Sequence, residues 1–120
     1  MSKKKFLVSI IINCFNGEKY LKDCLESVRL QTYANWEIIF WDNKSKDNSK
    51  KIFKSFKDKR FKYFLAKKHT NLYEAKNLAL KKANGDIIAF LDTDDLWLKN
   101  KLQKQVNYLS QNLRYFFDYL

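Results

Sequence analysis

The segment Asp92-Thr93-Asp94-Asp95 places three carboxylates within four residues. They repel one another, and capping a helix needs only one of them. Hard divalent cations bind oxygen donors, and Mg²⁺ typically takes one or two carboxylates, completing its shell with phosphate and water. The surrounding chain is strongly basic: 24 Lys and Arg against 13 Asp and Glu give a formal net charge of +11. That balance favours anionic partners. An acidic loop in a basic chain therefore points to a metal that bridges protein to a phosphorylated ligand. Three other polar clusters have chemistry to offer: Asn13-Cys14-Phe15-Asn16, Asp42-Asn43-Lys44-Ser45 and Lys67-Lys68-His69. Each also reads as an ordinary loop, with Asp42 and Asp47 as caps of a following helix. Glycine-rich phosphate loops are absent: neither GxGxxG nor GxxxxGK[ST] occurs. One His and two Cys without a CxxC exclude a zinc site.

The elements that must position these clusters alternate between strand and helix. Apolar, β-branched Phe6–Asn13 reads as a strand buried on both faces, broken by Asn16-Gly17. Glu18–Leu30 is an amphipathic helix with Leu21, Cys24, Leu25 and Val28 inward. Trp36–Trp41 is a strand, Ser49–Phe56 a short helix and Phe61–Leu65 a third strand. Asn71 and Glu74 have the spacing of a capping box that opens a helix through Ala83, with Leu72, Ala75, Ala79 and Ala83 packing. Asn84-Gly85 is expected to stop it in a left-handed conformation. Asp86–Leu91 is a fourth strand, and Leu98 to about Leu109 a last helix with Leu98, Leu102, Val106 and Leu109 on one face. Arg114–Leu120 is aromatic and ambiguous. Such alternation implies a parallel sheet, whose ligands bind past the carboxyl ends of the strands. The first and fourth strands are expected side by side, with Asn13, Asp42 and Asp92 converging.

At 120 residues the chain is one domain. Its 17% aromatic content excludes a disordered chain, and no apolar run is long enough to span a bilayer. Met1–Lys5 followed by Phe6–Phe15 has the layout of a secretion signal, but Asn13 is not the small residue that cleavage before Cys14 requires. Two isolated cysteines fit a reducing cytoplasm.

Taken together and in order, Val8–Leu21, Ser27 with Gln31-Thr32-Tyr33, Trp36–Ser45 with Asp47, Asn71–Ala79 and Gly85–Asp95 resemble the N-terminal half of the family 2 glycosyltransferases, inverting enzymes of the GT-A fold. The resemblance implies an α/β, Rossmann-like parallel sheet with helices on both faces, and a single nucleotide-sugar-binding domain over 1–120. By resemblance Asn13 lines the nucleotide pocket, Asp42-Asn43 meets base and ribose, and Lys76 stands where many members have Arg. Phe15, Asn16 and Thr93 are carried over as further nucleotide-sugar-binding positions. Asp92-Thr93-Asp94 matches the DxD motif, with Asp94 the main contact to Mg²⁺ or Mn²⁺ and Asp92 toward ribose and metal. The implied partners are a nucleotide-diphosphate sugar donor, a glycan or lipid-linked acceptor, the inner membrane surface and a second copy of the chain.

Three departures stand out. Asn43 replaces the commoner second Asp and offers a donor as well as an acceptor. Lys44 replaces a usual Gly, which suggests a different turn. The family's catalytic base lies C-terminal to everything here, so no catalytic residue is identified. The chain is expected to stop before the acceptor half, leaving apolar surface beyond the fourth strand that favours self-association. The alternatives are a non-catalytic nucleotide-sugar-binding module and a basic nucleic-acid-binding domain. The last lacks an aromatic pair on a strand or a basic recognition helix, so nucleic acid is set aside as a partner.

Overall fold

Strand β1, Val8–Cys14, is the kind of segment that only a covered sheet accommodates: Ile10 and Ile12 face one side, Ile11 the other, and all three are buried. A computed structural model describes residues 5–118, with side chains as far as residue 112. After β1 come α1 (Glu18–Arg29), β2 (Trp36–Asp42), α2 (Ser49–Ser55), β3 (Phe61–Leu65), α3 (Leu72–Leu80), β4 (Ile87–Phe90) and α4 (Lys101–Asp118). The strands form one parallel sheet in the order β3-β2-β1-β4. The expected α/β sheet with adjacent first and fourth strands is what forms. Segment Phe6–Phe15 is mostly the central strand β1, as its β-branched residues predict.

The two faces are covered unequally. On one, α1, α2 and α4 bury Leu21, Leu25, Phe53, Leu102 and Val106 against Ile10, Ile12, Ile38 and Phe40. Phe40 stacks on Phe53 with ring centroids 4.2 Å apart, and burial of one such side chain contributes about 1.5–3 kcal/mol. On the other face α3 lies alone over β1 and β2, packing Ala75 and Ala79 on Ile11, Ile39 and Trp41. It packs chiefly on those two strands, and Ile88 and Phe90 of β4 stay exposed on that side, with the Lys76 ammonium over Phe90.

Several expected details differ. Leu72 and Leu98 are exposed rather than packed. Leu98 precedes the last helix instead of opening it, because Gln31 holds this stretch: its Nε2 donates to the Leu98 carbonyl (2.8 Å) and its Oε1 accepts from Leu102 N (3.1 Å). Helix α4 continues to Asp118, through most of the ambiguous aromatic stretch; residues 119 and 120 lie outside the described residues. Helix α3 stops at Leu80, short of Ala83. Neither Asn84 nor Gly85 is left-handed. Gly85 serves close approach instead: a Cβ there would stand 2.5 Å from Ser9 Oγ and 2.7 Å from the Leu7 carbonyl.

That approach completes a buried polar knot. Ser9 and Glu37 pair across β1 and β2. Glu37 accepts from Ser9 Oγ (2.6 Å), Lys62 Nζ (2.6 Å) and Asn84 N (2.7 Å), and Ser9 Oγ accepts from Gly85 N (2.7 Å). Burial pushes the Glu37 carboxyl up, but these hydrogen bonds outweigh it and hold it below its ordinary range.

Candidate functional site

The carboxyl ends of the strands meet in one place, and three backbone bonds carry the pairing beyond the strands. Asn43 N donates to Cys14 O (2.8 Å), Ala66 N to Asp42 O (2.9 Å) and Leu91 N to Ile11 O (3.0 Å). The loop after β1 is stapled to the loop after β2. Asn16 N donates to Ser45 Oγ (2.9 Å), Lys46 N to Asn16 Oδ1 (2.8 Å), Gly17 N to Ser49 Oγ (3.1 Å) and Glu18 N to Asp47 Oδ2 (3.1 Å). Asn16 and Lys44 have φ of 53° and 68°. Lys44 therefore adopts the left-handed conformation that glycine favours. Gly17, with an ordinary φ, is needed for space: a Cβ would stand 2.8 Å from Thr93 Oγ1. The loops after β1 and β4 touch there.

Asn13, Phe15 and Asn43 come together in a pocket of about 230 Å³, joined by His69, Thr70 and Asn71 from the β3–α3 loop. Phe15 is half exposed, and its ring lies 4.4 Å from that of His69, tilted by 58°. Among the described residues, three buried side-chain nitrogens have no partner: Asn13 Nδ2, Trp36 Nε1 and Trp41 Nε1. Only Asn13 lines this pocket. A buried donor without an acceptor costs about 1–3 kcal/mol, and at Asn13 an oxygen placed in the pocket would supply that acceptor. Of the larger hollows, the one beside β4 is lined by other residues, and the one beside β3 shares only Thr70 with this pocket.

Asp42 and Asn43 are placed differently from one another. Asp42 is 2% exposed, accepting from Tyr63 OH (2.5 Å) and Ser45 N (2.8 Å). Desolvation and the Asp42 carboxylate push the Tyr63 hydroxyl pKa well up, so it remains a donor. Asn43 spends its amide on backbone: Oδ1 accepts from Thr70 N (3.0 Å) and Nδ2 donates to Thr70 O (2.8 Å). A carboxylate could not make the second bond, which explains the Asn physically. The Asn43 carbonyl is in turn 3.0 Å from His69 Nδ1.

Across β1 from Asp42 lies the acidic loop. Asp92, Asp94 and Asp95 are exposed, with one oxygen from each within 4.8 Å of the others. Cys24 Sγ donates to the Asp92 carbonyl (3.4 Å). Burial, followed by the charges of Asp95, Asp94 and Asp92, pushes the Cys24 thiol up to about 12, so it stays neutral. Three hard oxygen donors, with no ion pair among the described residues, suit a cation such as Mg²⁺ or Mn²⁺. Lys76 leans from α3 toward this side, its Nζ 5.3 Å from the Phe90 ring centroid, two residues before Asp92.

Sequence reasoning placed His69 past the end of a strand without giving it a role, and missed Thr70 and Asn71 as pocket walls. Asn71 was legible as a cap, and it does accept from Glu74 N (2.9 Å), but a cap gives no hint of what its outer side faces. Asn16, Asp42, Lys76, Asp92 and Thr93 do not line the small pocket.

Comparison with known proteins accords with this geometry. The curated relative WfgD of Escherichia coli, named UDP-Glc:alpha-D-GlcNAc-diphosphoundecaprenol beta-1,3-glucosyltransferase, is 41% identical over 107 residues, covering 89% of this chain and 42% of WfgD. TuaG of Bacillus subtilis, a putative teichuronic acid biosynthesis glycosyltransferase, is 34% identical over 92% of this chain and 45% of its own length. The chain thus spans less than half the length of these relatives. The crystal structure of S. aureus TarS 1-349 in complex with UDP-GlcNAc superposes with a TM-score of 0.83 at 26% identity, over 87% of this chain and 31% of that one. The parallel four-stranded sheet with its helices matches this GT-A neighbour. With the model for Glycosyl transferase family 2 matching residues 9–118, the chain belongs to that family.

Proposed function

We propose that this domain binds a nucleotide-diphosphate sugar, of the UDP class that the names of its relatives support, and serves sugar transfer in surface polysaccharide or glycoconjugate synthesis. The observation that carries the reading is the orphaned Asn13 Nδ2, buried in a pocket beside an exposed aromatic pair. A pyrimidine base satisfies both features: its ring stacks on Phe15 and His69, and a ring carbonyl accepts from Asn13. Asn43 acts indirectly, holding the Thr70 segment that forms one wall. Lys76 supplies fixed positive charge to the diphosphate. Asp94 and Asp92 hold the Mg²⁺ or Mn²⁺, which when bound neutralises the diphosphate as a leaving group. Thr93, wedged against Gly17, fixes the acidic loop relative to the end of β1. The acceptor class that WfgD's name suggests is a lipid-linked glycan. No residue of this chain is assigned as the base that activates it.

Calorimetry with UDP tests the reading. Binding is expected to be tighter with Mn²⁺ or Mg²⁺ than with chelator, because diphosphate beside three carboxylates is repelled until a cation lies between them. Asp94→Ala removes the difference. Equal affinity with and without metal contradicts the metal assignment, and no binding in either condition contradicts the donor site.

A further inference from the structure

An acidic loop and a lysine-rimmed strand lie at opposite edges of the sheet. Asp92, Asp94 and Asp95 crowd the loop after β4, whereas β3, on the opposite edge, is rimmed by lysines. Lys50 and Lys54 of α2 stand 5.6 and 4.7 Å from the Tyr63 ring centroid, and Lys82 stands 5.5 Å from that of Phe64. Between β3 and α3 runs a groove of about 700 Å³. Trp41, Phe64, Leu65 and Leu78 give it apolar lining, and Lys67, Lys68, Lys81 and Lys82 stand along it against one carboxylate, Glu74. All four lysines are exposed, and Leu65 is 50% exposed.

Lysines on an edge strand also discourage strand pairing, but that role needs neither an apolar groove nor an exposed Leu65. A lysine rim around an aromatic and aliphatic floor suits the interface of an anionic bilayer. The side-chain stems lie on apolar surface while the ammonium groups reach phosphate. We propose that the β3–α3 groove docks this domain on the anionic phospholipid headgroups of a membrane. Thr70 lines both this groove and the pocket beside Asn13, so docking holds that pocket next to the bilayer surface.

The test is co-sedimentation of the full chain with phosphatidylcholine vesicles, pure or containing phosphatidylglycerol, at low salt. Binding is expected only to the anionic vesicles. Each lysine near such a surface contributes about fivefold, so replacing Lys67, Lys68, Lys81 and Lys82 with Gln weakens binding by about a hundredfold or more. A charge-matched control, with Lys19, Lys22, Lys99 and Lys104 changed to Gln, loses less than about fivefold. Arg at the four groove positions retains binding. Should the fourfold Gln variant fail to fold by circular dichroism, Lys67→Gln with Lys68→Gln stands in, with an expected loss of about twenty-fivefold. No preference of the unmodified chain for anionic vesicles, or equal losses in groove and control variants, overturns the proposal. UDP calorimetry on the same proteins reads the donor site separately, so failure of one proposal is distinguishable from failure of the other.

Discussion

Asn43→Asp restores the residue commoner in the family, and on this geometry it damages the protein. The side chains are nearly isosteric, and the loss is confined to one bond. Nδ2 donates to Thr70 O at 2.8 Å, with Asn43 6% and Thr70 8% exposed. A carboxylate keeps the bond from Thr70 N but sets an oxygen against an oxygen. Losing this bond leaves the buried Thr70 carbonyl unsatisfied, which costs more than the bond's net worth. The expected loss is about 1–3 kcal/mol at neutral pH. Urea unfolding, with the slope unchanged, measures it. The pH dependence has a definite sign. Burial and the facing carbonyl raise the folded-state pKa of the new carboxyl above its unfolded value. The variant therefore recovers stability as pH falls, when its proton supplies the missing donor to Thr70 O, and loses it as pH rises through the folded pKa. UDP affinity should fall in parallel at neutral pH, since Thr70 and His69 are no longer held. Unfolding within about 0.5 kcal/mol of the unmodified chain at pH 7 refutes the clamp, being below what any such buried loss allows.

Gly17→Ala places a methyl 2.8 Å from Thr93 Oγ1 and 3.2 Å from Cys14 Sγ; it should cost about 1–3 kcal/mol and weaken metal-dependent UDP binding more than metal-independent binding, by calorimetry. Glu37→Gln removes the charged acceptor of Lys62 and Asn84 and should cost about 2–3 kcal/mol near neutrality. Because the folded-state pKa of Glu37 is lowered, its contribution is present above its unfolded pKa and lost as pH falls through the folded one. Thermal unfolding across an acid series should therefore show the gap between variant and unmodified chain closing only below about pH 4.

The strands and helices were legible because both periodicities were clean: Phe61–Leu65 coincides with β3, and Glu18 opens α1 as expected. What the sequence did not disclose depends on contacts far apart in the chain. Gly85 reads as a left-handed stop, but its role is set by Ser9 and Leu7, more than 75 residues earlier. Leu98 has the spacing of a helix face, but Gln31 takes its carbonyl and postpones the helix. By resemblance Asn43 meets the base; its amide here pairs with Thr70, a partner no local pattern identifies. His69 is a lone imidazole in sequence, and only the fold brings it to Phe15. The acidic loop was legible from its spacing, since three carboxylates within four residues have few structural uses.

The most direct measurement is a crystal structure of the chain with UDP and Mn²⁺. The account predicts the base against Phe15 and His69 with a ring carbonyl about 3 Å from Asn13 Nδ2, and the diphosphate between Lys76 and a cation held by Asp94. A base seated elsewhere, with Asn13 Nδ2 still unpaired, contradicts it.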